Sequence, residues 1–394
     1  MMDKNLLNVV NTLQDPCYIL EEDKLIKNLE ILNSVQQASG AKILLALKGF
    51  AFWASFDLVS QYLKGITASG VYEAQLGYEE FRKYNKYAEI SVFSPAFREC
   101  DIKSIIPYAD HIIFNSFSQY SSFKHLIKDT DIEIGLRVNP MYSEVTPFIY
   151  NPCVEGSRLG IIPSEFENGV LKYGMDNICG IHFHTHCEQD SRALLRTLVY
   201  FERYFGKYLL NLKWVNFGGG HHITREGYDI ELLIRIIRDF KAKYNNIDIY
   251  LEPGEAIGWQ CGVLVGEVID LVKNKFNIAI TNLSASTHMP DCIEMPYTPS
   301  IYGAKITTLD SNSKFRYRLG SPSCLAGDVI GDYEFEKELK VGDKIIVEDM
   351  IHYTIVKNNT FNGIPLPSLG ILRRNGEFNI IKRFGYEDYK HRNS

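Results

Sequence analysis

Between residues 43 and 254 the chain alternates short runs of apolar and β-branched residues with longer segments whose apolar positions recur every three or four residues. The short runs fall at 43–48, 65–69, 90–94, 111–115, 133–139, 180–185, 214–217 and 248–252. Eight parallel strands separated by helices close into a (β/α)8 TIM barrel of the α/β class, and that is the architecture the pattern predicts. The intervening segments carry the matching helical stripe: Leu194, Leu195, Leu198, Phe201 and Phe205 in one, Leu232, Leu233, Ile236, Ile237 and Phe240 in another. Past Gly262 the period drops to two, as Val263, Val265, Glu267, Ile269 and Leu271 alternate with their neighbours, and 344–348 keeps strand composition. The expected division is a barrel over 26–262 and an all-β domain over 263–394, to which residues 1–25 lend a strand around 16–20.

Composition narrows the function classes. A chain of 394 residues, 45% hydrophobic and 23% charged, buries a large core. Its net charge of -6 and lack of any Lys/Arg block argue against nucleic acid as a partner and suit a cationic ligand. No apolar run reaches spanning length and the N-terminus lacks a signal-peptide core, so no membrane association is expected. The eight cysteines include no C-x-x-C pair, which points away from a zinc ribbon or disulfide framework and towards a reducing cytoplasm.

In a βα barrel the C-terminal ends of the strands build the active site, so the residues closing each run are the candidates. Lys48 closes the first run. A lysine there loses hydration, which favours the neutral amine that forms an imine with an aldehyde; a lysine snorkelling from a strand end is the plain alternative. His182, His184 and His186 share one face of the sixth run if that strand is regular. They suit zinc ligation in a barrel hydrolase, one ring stacked on an aromatic cofactor with the others in support, or a structural cluster. Gly218, Gly219 and Gly220 follow the seventh run, where missing side chains let amides cradle a phosphate or simply permit a tight turn. Glu252, ahead of Pro253 and Gly254, sets a carboxylate at the barrel mouth, able to keep a pyridine nitrogen protonated or to pair with an arginine. In the second domain Cys324 and Asp328 place a thiol and a carboxylate four residues apart, although a lone cysteine is more often packing.

Taken in order, these residues resemble the fold-type III pyridoxal-phosphate decarboxylases along nearly the whole chain. The resemblance implies an alanine-racemase-like barrel with a β domain, acting as a homodimer with shared active sites. By the same resemblance Lys48, in Ala46-Leu47-Lys48, carries pyridoxal 5'-phosphate and His184, in Phe183-His184, stacks on its ring. Gly218, Gly219 and Gly220 hold the phosphate, Glu252 faces the ring nitrogen, and Tyr353, eight residues before Phe361-Asn362-Gly363, also reaches the phosphate. Arg158, in Ser157-Arg158-Leu159-Gly160, lies beside the cofactor or serves the structure. Cys324 is implied as proton donor and Asp328 as a neighbour of the substrate amine, both from the partner subunit. No metal is implied.

One departure points to a subfamily. Ornithine and diaminopimelate decarboxylases read Glu-Pro-Gly-Arg, whereas here Glu255 follows Gly254. An anion in place of that cation weakens phosphate binding unless other donors compensate, but it suits a cationic amine. Glu255, with Leu47-Lys48-Gly49 and Thr287-His288-Met289-Pro290-Asp291, resembles the carboxynorspermidine (carboxyspermidine) decarboxylases of polyamine biosynthesis. That resemblance implies an elongated polyamine substrate whose far amines meet Glu255 and Asp291, each of which also reads as an ordinary ion-paired acid. The alternatives are a diaminopimelate or other basic amino-acid decarboxylase and a zinc-dependent barrel hydrolase using His182, His184 and His186.

Overall fold

Each of the eight apolar runs forms a strand, and the eight close on themselves. The computed structural model describes residues 3–308 and 313–394; Met1, Met2 and 309–312, which fall within the expected domain bounds, lie outside them. The chain divides into two units, Asn28–Ile257 and Met1–Lys27 with Gly258–Ser394. The first strand of the chain, β1 (Cys17–Glu21), belongs to the second of these.

The unit Asn28–Ile257 is a parallel barrel of β2 (Lys42–Ala46), β3 (Gly65–Ala68), β4 (Glu89–Phe93), β5 (His111–Phe114), β6 (Glu133–Arg137), β7 (Gly180–His182), β8 (Trp214–Asn216) and β9 (Asp248–Leu251). Closure is made where Lys42 pairs with Tyr250 and Ile43 with Leu251. Leu44, Ile113, Trp214 and Tyr250 form one buried cluster of its core. Trp214 fits because its neighbours lack side chains: a Cβ on Gly180 would lie 2.0 Å from the indole, and one on Gly135 2.4 Å. The helix Ser191–Leu209 starts where Asp190 accepts from the amides of Arg192 and Ala193. It buries Leu194, Leu198, Phe201 and Phe205, but Leu195 is 48% exposed, because its position falls beside the stripe. Ile230–Lys243, capped by Asp229, buries all five of its expected apolar positions.

The second unit is a nine-stranded mixed sheet. Its strands are β1, β10 (Gly262–Asn274), β11 (Phe276–Thr281), β12 (Ala304–Ile306), β13 (Arg316–Gly320), β14 (Val329–Phe335), β15 (Lys344–Glu348), β16 (Ser368–Leu372) and β17 (Phe378–Lys382). β1 runs antiparallel to β10, Ile19 opposite Val263, and parallel to β16, Ile19 opposite Gly370. Leu6 and Val10 of the helix Lys4–Thr12 pack there with Cys17, Ile19, Val263 and Ile346. Fully burying a Leu, Val or Ile contributes about 1.5–3 kcal/mol, enough to hold so short a terminal helix. Among the described residues no helix is long and apolar enough to cross a membrane.

Candidate active site

The strands stop sooner than the apolar runs, and this arranges the candidate residues. β2 ends at Ala46, so Lys48 lies in the turn beyond, where the amides of Gly49 and Phe50 both return to the Ala46 carbonyl at 3.0 and 3.1 Å. β7 ends at His182, three residues short of the expected run. His182, His184 and His186 therefore do not share a strand face. Beyond His182 the chain is drawn against the glycine loop, where a Cβ on Gly220 would lie 2.0 Å from the His186 carbonyl oxygen, and Gln189 bridges His221. His186 turns to His221, ring centroids 4.8 Å apart. The alternative zinc set of three histidines is not assembled; among the described residues the atoms close enough to share an ion, within 4.8 Å of one another, belong to His182, His184 and Glu252.

Glu252 is buried just past β9, and its oxygens are divided between two neighbours. Oε1 accepts from Asn216 Nδ2 at 2.7 Å, and Oε2 lies 3.3 Å from His182 Nε2. Burial alone raises a carboxyl pKa, but His182, Asn216 and Thr67 outweigh it and take Glu252 down to about 2. Asn216 also accepts the Gly218 amide through Oδ1 at 2.8 Å, tying this carboxylate to the glycine loop.

Lys48 reaches accessible space, yet it stands deep among protein atoms. Desolvation, then the charge of Arg137, lowers its ammonium pKa, against the pull of Glu252, Cys187 and Glu73. This is the environment that favours a nucleophilic amine. Two glycines fix the turn. A Cβ on Gly49 would lie 3.1 Å from Gly254 Cα and 3.2 Å from the Glu255 nitrogen, so the backbones bearing Lys48 and Glu255 touch. Glu255 opens the short helix Glu255–Gly258 and is half-buried. Its charge and that of Lys48 both reach the Cys187 thiol, which burial pushes up to about 11.

The glycine loop is pressed onto its neighbours. A Cβ on Gly218 would lie 2.4 Å from the Phe183 oxygen, and one on Gly219 2.3 Å from the Glu252 oxygen. Gly218 and Gly220 take φ of +71 and +78, a region that favours glycine. The Gly219 amide donates to His184 Nδ1 at 3.0 Å. Burial first, then the charges of Lys48 and Arg137, holds the His184 pKa well below the ordinary histidine value. Arg158 is exposed, and its carbonyl accepts from Asn115 Nδ2 at 2.7 Å.

The sheet unit carries the other four candidates. Asp328 Oδ2 accepts from the hydroxyls of Ser284, Ser286 and Ser323, and Oδ1 from the Ser286 amide. Against burial, which raises it, these donors lower the carboxyl pKa. Cys324 is exposed, and its amide and thiol both point to Asn362 Oδ1 at 3.2 Å, joining two segments that the sequence keeps apart. Tyr353 opens the helix Tyr353–Lys357 and is half-buried. Asp291 is buried; Oδ2 accepts from Tyr297 at 2.7 Å and Thr354 at 2.9 Å, while Oδ1 has no hydrogen-bond partner among the described residues.

Two charged residues were not anticipated. Arg137 closes β6, is 6% exposed, and sits 4.5 Å over the Phe93 ring; burial lowers its pKa to about 10. Its place at a barrel strand end was the available signal. Glu73 accepts the Ser69 amide at 2.6 Å and is among the acids facing Lys48, with its pKa raised by burial. No run or motif marks it, since it lies inside the helix Val71–Leu76.

Comparison with known proteins agrees with this geometry. A family model described as pyridoxal-dependent decarboxylase, C-terminal sheet domain, matches residues 17–351. The chain is 48% identical over 389 residues to the carboxynorspermidine/carboxyspermidine decarboxylase of Campylobacter jejuni, covering 97% of this chain and 99% of that one. It is 44% identical over 384 residues to the carboxyaminopropylagmatine decarboxylase of Synechocystis, covering 97% and 96%. The crystal structure of the Campylobacter jejuni carboxynorspermidine decarboxylase complexed with norspermidine superposes with a TM-score of 0.87 at 46% identity, over 97% of this chain and 100% of that one.

Proposed function

The chain belongs to the pyridoxal-dependent decarboxylase family, and from that membership we propose how its residues act. It is a pyridoxal 5'-phosphate enzyme of polyamine biosynthesis, a carboxy-lyase that converts carboxynorspermidine, carboxyspermidine or both to norspermidine and spermidine. The observation that carries this reading is full-length similarity to an enzyme named for those substrates, whose solved structure holds norspermidine. Similarity to diaminopimelate decarboxylase is weaker, 23% identity over 72% of the chain. A second reading, carboxyaminopropylagmatine as substrate, is favoured by the 44% identical relative from Synechocystis, and it too is an elongated cation.

The barrel residues fit the cofactor. The tight glycine loop leaves no room for side chains between a phosphate and the main chain, and a buried, ionised Glu252 lies close to a desolvated lysine. Bound there, pyridoxal phosphate provides a sink for the electron pair of the breaking carbon–carboxylate bond. Lys48 would hold the cofactor through its aldehyde carbon, the carbonyl oxygen leaving as water, and Glu252 would keep a proton on the ring nitrogen. His184, oriented by the Gly219 amide, would pack against the ring. With the Gly218 amide given to Asn216 and that of Gly219 to His184, the Gly220 amide is the loop's donor to the phosphate. Tyr353 adds a hydroxyl donor.

Glu255 and Asp291 receive the far ammonium groups of the substrate, and Asp328 faces its amine. Cys324 Sγ delivers the proton that replaces the carboxylate on the α-carbon. The enzyme works as a homodimer, with Cys324 and Asp328 supplied across the interface, in the cytoplasm. Mixing inactive Lys48→Ala and Cys324→Ala proteins restores part of the activity if sites are shared.

The decisive assay offers the purified protein carboxynorspermidine, carboxyspermidine, carboxyaminopropylagmatine and diaminopimelate, reading carbon dioxide release for each. Turnover confined to diaminopimelate would overturn the reading. Borohydride reduction followed by peptide mapping is expected to place the cofactor on Lys48; a label on another residue would remove the proposed roles.

A further inference from the structure

Arg137, His182 and Asn216 close three consecutive barrel strands in register, Arg137 opposite His182 and His182 opposite Asn216. Paired residues of neighbouring parallel strands point to one face, so the three side chains make a polar tier, into which Glu252 reaches from beyond β9. His182 is 1% exposed, and neither ring nitrogen makes a hydrogen bond among the described residues. A buried polar group left unsatisfied is destabilising, so its place calls for an explanation. The ring is not loose. It packs against Phe93, centroids 5.6 Å apart, and the same phenyl ring carries the Arg137 guanidinium at 4.5 Å.

What His182 faces is Glu252 Oε2, at 3.3 Å. Asn216 already holds Oε1 at 2.7 Å, so the carboxylate is gripped on one side and only approached on the other. We propose that His182 is a positioning residue for Glu252: a small rotation of the carboxylate closes the 3.3 Å approach into a hydrogen bond, locking its plane between Asn216 and His182. Each oxygen then keeps a lone pair for the cofactor's ring nitrogen. The charged groups around the imidazole are Glu252, Arg137 and Lys48. Burial lowers the His182 pKa, which keeps the ring neutral as a donor rather than a competing cation. A donor on Oε2 favours the ionised carboxylate, so losing it raises the Glu252 pKa and releases the plane in which the carboxylate meets the ring nitrogen.

This inference rests on Glu252 as the partner of the ring nitrogen, and the test separates the two claims. Three variants are compared with wild type: His182→Phe and His182→Leu, which lack the donor, and His182→Gln, which restores one; melting curves establish that each is folded. In cofactor-free protein labelled with 13C at the glutamate carboxyl, the Glu252 resonance, assigned by its loss in Glu252→Gln, is followed against pH. The Phe and Leu variants are expected to titrate higher than wild type by about one pH unit or more, with Gln between wild type and these two. In the holoenzyme, kcat falls about 10- to 100-fold in the donorless variants, the range typical of outer-shell partners, with KM little changed and partial recovery in Gln. A Glu252 titration unchanged in a folded donorless variant, or a Gln variant no better than Phe, overturns the positioning role. A Glu252→Gln protein that takes up pyridoxal phosphate and keeps full kcat overturns the reading of Glu252 instead.

Discussion

The main-chain amide of Gly219 donates to Nδ1 of His184 at 3.0 Å, which leaves the ring's hydrogen on Nε2 and fixes its plane. A single glycine thus orients the ring proposed to face the cofactor while forming part of the loop proposed to hold its phosphate. Gly219→Ala would bring a Cβ within 2.3 Å of the main-chain carbonyl oxygen of Glu252 and 3.1 Å of His184 Cε1. The loop must shift and the ring must tilt. Affinity of the cofactor-free protein for pyridoxal phosphate should fall by about tenfold or more, equivalent to ~1.4 kcal/mol, in a fluorescence titration. An affinity equal to wild type would dissociate the loop from cofactor binding.

Buried neutral histidines make the fold acid-sensitive. Burial lowers His221 and His288 from the ordinary 6.5 to about 4, and lowers His182, His184 and His186 as well. As pH falls below 6.5 the unfolded chain takes up protons at these residues while the native state does not, until about 4 for His221 and His288. Stability is therefore full above that range and declines through it, at up to ~1.4 kcal/mol per pH unit for each such histidine. Glu252, depressed to about 2 from 4.5, loses its contribution below 4.5 and acts in the same direction, while Glu21 and Glu73, raised by burial, oppose it. Melting temperatures of the cofactor-free protein should fall steadily from pH 7 to pH 5. A flat profile would mean that these rings find acceptors or water on protonation.

Glu252→Gln tests the electrostatics of the ring nitrogen with little change of shape. The amide can still accept from Asn216, which now donates to Oε1 at 2.7 Å, but it carries no charge to retain a proton on the ring. Loss of preorganised electrostatic stabilisation of this kind costs on the order of 10²- to 10³-fold in kcat. Cofactor content measured by absorbance should stay near wild type, so that the loss appears in turnover and not in occupancy.

The barrel was legible because strand-forming runs and helical stripes differ in period, and every run became a strand. The active-site loops were not. Their apolar residues continue the runs, as Leu47 continues β2 and Phe183 continues β7, so nothing local shows where pairing ends. Pairing ends because Gly49 meets Gly254 and Gly220 meets His186, contacts between segments distant in sequence. For the same reason the motifs pointed to Lys48, His184 and Glu252 but not to Arg137, marked only by its strand-end place until β6 is set beside β7. The hydroxyls of Ser284 and Ser286 around Asp328 likewise come from a segment that no spacing connects to it.

Glu255 separates substrate affinity from cofactor affinity. It follows Gly254, whose close packing on Gly49 brings its backbone to the Lys48 turn. Under the proposed role, Glu255→Gln would remove a charge-assisted hydrogen bond to a substrate ammonium, worth about 1.5–3 kcal/mol, so KM should rise about 10- to 100-fold. The affinity for pyridoxal phosphate should hold or improve, since a negative charge leaves the mouth of the barrel. Weaker cofactor binding with unchanged KM would assign Glu255 to the barrel's own structure.

Asp291 needs a conservative substitution to be tested fairly. Tyr297 and Thr354 both donate to Oδ2, while Oδ1 is buried without a hydrogen-bond partner among the described residues. Asp291→Ala would strand two hydroxyls and destabilise by about 1–3 kcal/mol for each one left unsatisfied, so a rise in KM there would mix folding with binding. Asp291→Asn keeps an oxygen for Tyr297 and Thr354 and removes only the charge. Its melting temperature should stay close to wild type while KM for carboxynorspermidine rises, because an ammonium at Oδ1 loses its counter-charge. Both quantities come from one preparation: if the Asn variant melts normally and KM is also unchanged, Asp291 is a structural acid that anchors the segment 287–291 to Tyr297 and Thr354, and the far amine is bound elsewhere.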